Sequence, residues 1–108
     1  LAAMLADANG RSQAVQAILT EATRTYTDLS SSPYTGVTID FEGLAGSTNQ
    51  ANFTAFLQAL SQQLQAKTLR LAVAVMPATA DGAYYNGYDY RAILQYYYRG
   101  AELKKTDK

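Results

Sequence analysis

Two short apolar runs, at residues 36–41 and 69–75, stand about 30 residues apart, and the segment between them carries one amphipathic helical pattern. This arrangement limits the fold more than any other feature. Two strands joined through a helix run parallel, with a right-handed crossover. In the first run Val37, Ile39 and Phe41 alternate with Thr38, Asp40 and Glu42, as one buried and one open face require. In the second, Leu69, Leu71, Val73 and Val75 share a face, Ala72, Ala74 and Met76 share the other, and Pro77 closes the strand. The helix between them reads from Ser47 to about Ala66. Its stripe is Phe53, Phe56, Leu57, Leu60 and Leu64, a 3.6-residue period. Ser47 and Gln50 form an S-x-x-Q capping-box pattern at its start, after a loop over 43–46.

The flanks extend the alternation of helix and strand. Val15, Ile18, Leu19, Ala22, Tyr26 and Leu29 predict a helix over about 13–29, with Ser12 as N-cap, the Asn9-Gly10 pair as a turn before it and the Ser30-Ser31-Ser32-Pro33 run as its end. Residues 1–8 read either as the end of a strand with its loop or as a frayed helix. Residues 78–88 read as a loop, about 89–99 as a further helix, and the polar tail as solvated. The fold class is α/β. A parallel sheet needs both faces covered and its edges managed, and two strands do not supply that. The pattern is that of an interior slice of a larger α/β protein. A start at Leu1 rather than Met is best explained by an excised or incomplete chain.

Composition narrows the chemistry. The 108 residues contain no cysteine and no histidine, which excludes disulfides, thiolate or imidazole metal sites, thiol nucleophiles and a Ser-His-Asp triad within this chain. Acid–base work falls to carboxylates, Lys or Tyr. Nine basic and nine acidic residues cancel, arguing against a nucleic-acid binder or a polybasic membrane-surface protein. Residues 1–54 carry net −3 and residues 55–108 net +3, a split too small to imply a partner. No apolar run approaches the roughly 20 residues of a membrane span, and no signal peptide is visible.

Asp40 and Glu42 end the first strand. Residues two apart on a strand share a face at about 6–7 Å. If the strand belongs to a (β/α) barrel, its apolar face meets the helix ring, and both acids stand in the active-site mouth at the C-terminal end. Two carboxylates so close oppose joint ionisation, so one is held protonated to higher pH and can act as a general acid. The same pair can also be a solvated strand end. As metal ligands they lack an evident third partner.

The run YTGVTIDFEGL at 34–44 resembles the signature of family 18 glycoside hydrolases, the chitinase-like superfamily, written D-x-x-D-x-D-x-E. The last two acids match as Asp40 and Glu42, while Thr35 and Thr38 stand at the first two Asp positions. The segments NFTAFLQALSQQL (52–64), KTLRLAVAVMPAT (67–79) and GAYYNGYDYRAIL (82–94) look like the helix, strand and post-strand loop of bacterial members, nearest in flavour to spore-germination and peptidoglycan-cleaving glucosaminidases. The likeness runs from about residue 11 to 94.

The resemblance implies that residues 1–108 are part of a (β/α)8 TIM-barrel catalytic domain, two to three βα units around strands four and five. It implies a glycosidase acting on N-acetylglucosamine-containing polysaccharide, peptidoglycan or chitin, in a secreted or cell-envelope setting, with no cofactor and with the rest of the barrel supplied by the parent chain. Glu42 would protonate the glycosidic oxygen. Asp40 would orient the substrate's 2-acetamido group, whose oxygen attacks the anomeric carbon, so that configuration is retained without a protein nucleophile. Thr38 can hydrogen-bond Asp40 but brings no charge. The two Thr replacements leave open a lectin-like member that binds glycan without cleaving it. A full barrel needs about 250 residues, so this chain alone is not expected to hydrolyse efficiently.

Tyr84, Tyr85, Tyr88 and Tyr90 cluster after the second strand. On a barrel's catalytic face such rings can stack on sugars, or they can pack the loop onto its own helix. Tyr84 and Tyr85 are the candidate sugar contacts. Met76 follows the small inward residues Ala72 and Ala74 and either lines the pocket or fills core.

Overall fold

The computed structural model describes residues 1–41, 44–74 and Ile93. The described elements are α1 (Ala2–Ala6), α2 (Ala8–Ala22), β1 (Gly36–Ile39), α3 (Ser47–Ala66) and β2 (Arg70–Val73). β1 and β2 pair in parallel, with Gly36 opposite Arg70 and Ile39 opposite Val73. Bonds from Arg70 N–H to the Thr35 carbonyl (3.1 Å) and from Ala74 N–H to the Ile39 carbonyl (2.8 Å) extend the ladder at both ends. The β1–α3–β2 unit is the parallel pairing through a helix that the sequence pattern requires.

α3 follows its sequence closely. Phe53, Phe56, Leu57 and Leu60 are 0 % exposed and Leu64 1 %. Burying each such side chain contributes about 1.5–3 kcal/mol. They meet Leu5 of α1, Val15 and Leu19 of α2, Ile39 of β1 and Leu71 of β2 in one core, which Ile93, itself helical, also joins. Phe41, just past β1, continues the inward alternation. Its ring lies 5.8 Å from Phe53 and 5.4 Å from Phe56, nearly parallel to the latter at 29°. The helix expected over 89–99 otherwise lies outside the described residues.

Several local expectations are corrected. α2 begins at Ala8, not near 13, because Asp7 rather than Ser12 is the N-cap and its carboxylate accepts from Asn9 N–H at 3.3 Å. Asn9-Gly10 is therefore not a turn. Gly10 lies inside the helix where α1 crosses it, and a Cβ there would meet the Met4 carbonyl at 2.6 Å. Of the two readings of residues 1–8, the helix is the one observed, over Ala2–Ala6, with the Leu5 carbonyl accepting from the Arg11 guanidinium at 2.7 Å. α2 ends at Ala22, well short of 29. The Thr23 hydroxyl turns back to the Leu19 carbonyl at 2.7 Å, and Tyr26 and Leu29 are exposed rather than part of a buried stripe. The Ser47/Gln50 capping box is not formed either. Gly46 is the N-cap, its carbonyl accepts from Gln50 N–H at 2.9 Å, and Ser47 is already helical.

Candidate functional site

The two faces of the strand pair differ sharply. Val37, Ile39, Leu71 and Val73 turn toward the helices, with Ile39 and Leu71 each 4 % exposed. On the opposite face Thr38 and Asp40 are exposed, and Ala72, paired with Thr38, is half-buried. The apolar side chains at 37, 39 and 41 hold this alternation: each packs inward, so the polar residues between them turn outward. The Asp40 carboxylate thus stands at the C-terminal end of a parallel strand pair, on the face that no described helix covers.

Among the described residues no hydrogen bond joins the Thr38 hydroxyl to the Asp40 carboxylate. Glu42 lies outside the described residues, as do Met76, Tyr84 and Tyr85. Of the expected site residues, the structure therefore describes Thr38 and Asp40, both exposed and two apart on one face, without a bond between them. Among the described residues no group of three or more His, Cys, Asp or Glu gathers, and no helix is long and apolar enough to cross a membrane.

A shallow groove of about 860 Å³ opens at the opposite end of the sheet. Its lining includes Thr23, Ser32 and Tyr34 from the chain leading into β1, Thr35 just before β1, and Lys67, Thr68 and Arg70 at the α3–β2 junction. It is remote from the C-terminal strand ends that carry Asp40. Lys67 is the C-cap residue of α3, the end at which a cation offsets the negative helix dipole. The Ser32 hydroxyl is engaged with the Ala22 carbonyl at 2.7 Å. Two strands make a nearly flat surface, so a cleft at the Asp40 end requires walls from further elements.

A polar cluster missed by sequence reading borders this groove. The Glu21 carboxylate accepts from the hydroxyls of Tyr26 (2.5 Å) and Tyr34 (2.9 Å) and pairs with Arg24 at 3.2 Å. The two rings meet edge to face at 6.5 Å, and the Arg24 guanidinium lies 6.0 Å from the Tyr26 ring centre. The Tyr26 and Tyr34 hydroxyls, with Arg24 beside them, hold the Glu21 carboxyl below its ordinary value, and the bond to Glu21 pushes the Tyr26 hydroxyl well above its own. No spacing rule signals a cluster at 21, 26 and 34, because the turn after α2 brings these residues together.

No protein-family model, no curated protein and no solved structure matches the chain.

Proposed function

We propose that the chain forms part of a (β/α)8 barrel that cleaves β-linked N-acetylglucosamine polymers, peptidoglycan first and chitin second, in the manner of family 18 glycoside hydrolases. The supporting observation is the exposed Asp40 at the C-terminal end of β1, on the sheet face turned away from the helices. In a barrel that face looks into the lumen and that end forms the mouth. Glu42 donates a proton to the departing sugar oxygen, and Asp40 holds the substrate's acetamido group for attack on the anomeric carbon. Thr38, Met76, Tyr84 and Tyr85 contribute to the sugar-binding surface, and the remaining strands come from the parent chain. The setting is the cell envelope or the extracellular space, where these polymers lie.

A second reading, glycan binding without turnover, draws support from Thr35 and Thr38, which replace two acids of the motif. Release of a chromogenic N-acetylglucosaminide by the full-length protein, compared with its Glu42→Gln variant, separates the two. Turnover abolished by the substitution supports the hydrolase. Retention on peptidoglycan or chitin with no turnover supports the binding protein, and absence of both turnover and retention means that the strand-end acids have no sugar role.

A further inference from the structure

The groove at the N-terminal end of the strand pair, about 860 Å³, lies apart from the acid-bearing strand ends. Among the described residues its charged lining is Lys67 and Arg70, with no carboxylate. Lys67 is exposed at the end of α3, and among the described residues no ion pair or hydrogen bond engages its ammonium. The helix end offsets only part of that charge, because a terminus carries about half a unit. Ser31, Thr35 and Thr68 line the same groove, and their hydroxyls make no bond among the described residues. Tyr34 forms part of the wall and is 41 % exposed. Its ring is held in place. The hydroxyl donates to Glu21 at 2.9 Å, the backbone N–H donates to the Ser32 hydroxyl at 3.3 Å, and Tyr26 meets the ring edge to face at 6.5 Å. Glu21, the acid bordering the groove, is already engaged by both phenols and by Arg24.

We propose that this groove is a second glycan-binding site, for a saccharide that carries carboxylates, an inference that rests on the glycan reading above and separates peptidoglycan from chitin within it. A compact apolar ligand needs an enclosed pocket, whereas a shallow groove lined by hydroxyls suits a polyhydroxylated chain that makes many modest bonds. The exposed Tyr34 ring offers a stacking face for the C–H side of a sugar. Because its hydroxyl is already tied to Glu21, the ring loses little freedom on binding. Lys67 supplies the discrimination. The peptide stems of peptidoglycan carry free carboxylates, and chitin carries none. The groove anchors the polymer at a distance from the strand-end acids, and a second point of attachment raises retention on an extended polymer without any new catalytic group.

The test uses the full-length protein in a Glu42→Gln background, so that no ligand is consumed, with titration calorimetry of two probes: a soluble muramyl-peptide fragment with free carboxylates and a neutral N-acetylglucosamine tetramer. Lys67→Glu is expected to weaken binding of the acidic fragment about fivefold to tenfold and to leave the neutral tetramer within about twofold. Raising the ionic strength to about 1 M, where the screening length is about 3 Å, should remove that difference. Tyr34→Ala is expected to weaken the acidic fragment about fivefold through loss of the ring face. Both side chains are exposed, so neither substitution empties the core. With Glu42 restored, Lys67→Glu should release the chromogenic N-acetylglucosaminide at the parent's rate. Unchanged affinity of Lys67→Glu for the acidic fragment, or an equal loss for both probes, overturns the groove site, and parental turnover alongside either result leaves the hydrolase reading standing. Failure of the Glu42→Gln protein to bind either probe overturns the glycan reading and the groove site together.

Discussion

Truncating Phe56 to alanine probes the packing that holds the acid-bearing strand to α3. The ring is 0 % exposed and stacks against Phe41 at 5.4 Å and Phe53 at 6.4 Å. Its removal forfeits the transfer of a fully buried ring and leaves a void that neighbouring rings fill only in part. Together these cost about 3–5 kcal/mol. Domains of this size are stable by about 5–15 kcal/mol, so the loss is a large share of the total. With a urea dependence near 1.5–2 kcal/mol per molar, the unfolding midpoint falls by about 2 M. Phe41→Ala costs less, about 2–3 kcal/mol, because that ring is only half-buried. The double variant falls short of the sum by about 0.5–1.5 kcal/mol, the contribution of the ring pair beyond its buried area. Urea unfolding followed by far-ultraviolet circular dichroism measures all three. A Phe56→Ala loss below about 1 kcal/mol, or strict additivity of the pair, refutes the three-ring packing.

Three further outcomes follow from local geometry. Thr68 sits at φ 60° just past α3, in a Schellman turn where Leu69 N–H reaches the Leu64 carbonyl at 2.9 Å and Thr68 N–H the Gln65 carbonyl at 3.1 Å. A β-branched residue is strained there, and Thr68→Gly is expected to raise stability by about 1 kcal/mol in chemical denaturation. Gly36→Ala would set a Cβ 2.7 Å from the Arg70 carbonyl across the β1–β2 pair. It should lower stability by about 1–3 kcal/mol despite the usual gain from removing a strand glycine, as calorimetry can read. Glu21 titrates below its ordinary value of 4.5 in the folded chain, so its contribution is present above that pH and is lost as pH falls through the depressed folded value. The melting temperature of Glu21→Gln should lie below the parent's at pH 7, and the gap should close at strongly acidic pH.

How much the sequence disclosed depended on how far each signal reached along the chain. α3 was legible because five large apolar side chains repeat at one period, and the helix observed, Ser47–Ala66, has the length that period implies. The strands were legible by alternation, and the parallel pairing followed from the intervening helix. The ends of α2 were not. Asn9-Gly10 carries a turn signature, yet its glycine serves a helix–helix contact with Met4, a tertiary reason invisible locally. Tyr26 continues the 3.6-residue pattern, yet its hydroxyl is drawn to Glu21, and the chain leaves the helix before reaching it. The S-x-x-Q phrase is outcompeted by Gly46 one residue earlier. For the candidate site, alternation alone foretold that Thr38 and Asp40 would face away from the helices, because an apolar residue stands on each side of Asp40.

The central claim is that Asp40 and Glu42 act together on a 2-acetamido sugar. It is tested most directly by proton NMR of fresh digests of an N-acetylglucosamine oligomer by the full-length protein, with the matching glucose oligomer in parallel. The β-anomer is expected as the first product, and the glucose oligomer, which lacks the acetamido oxygen, should remain intact. Initial release of the α-anomer, or comparable cleavage of both oligomers, would contradict the claim.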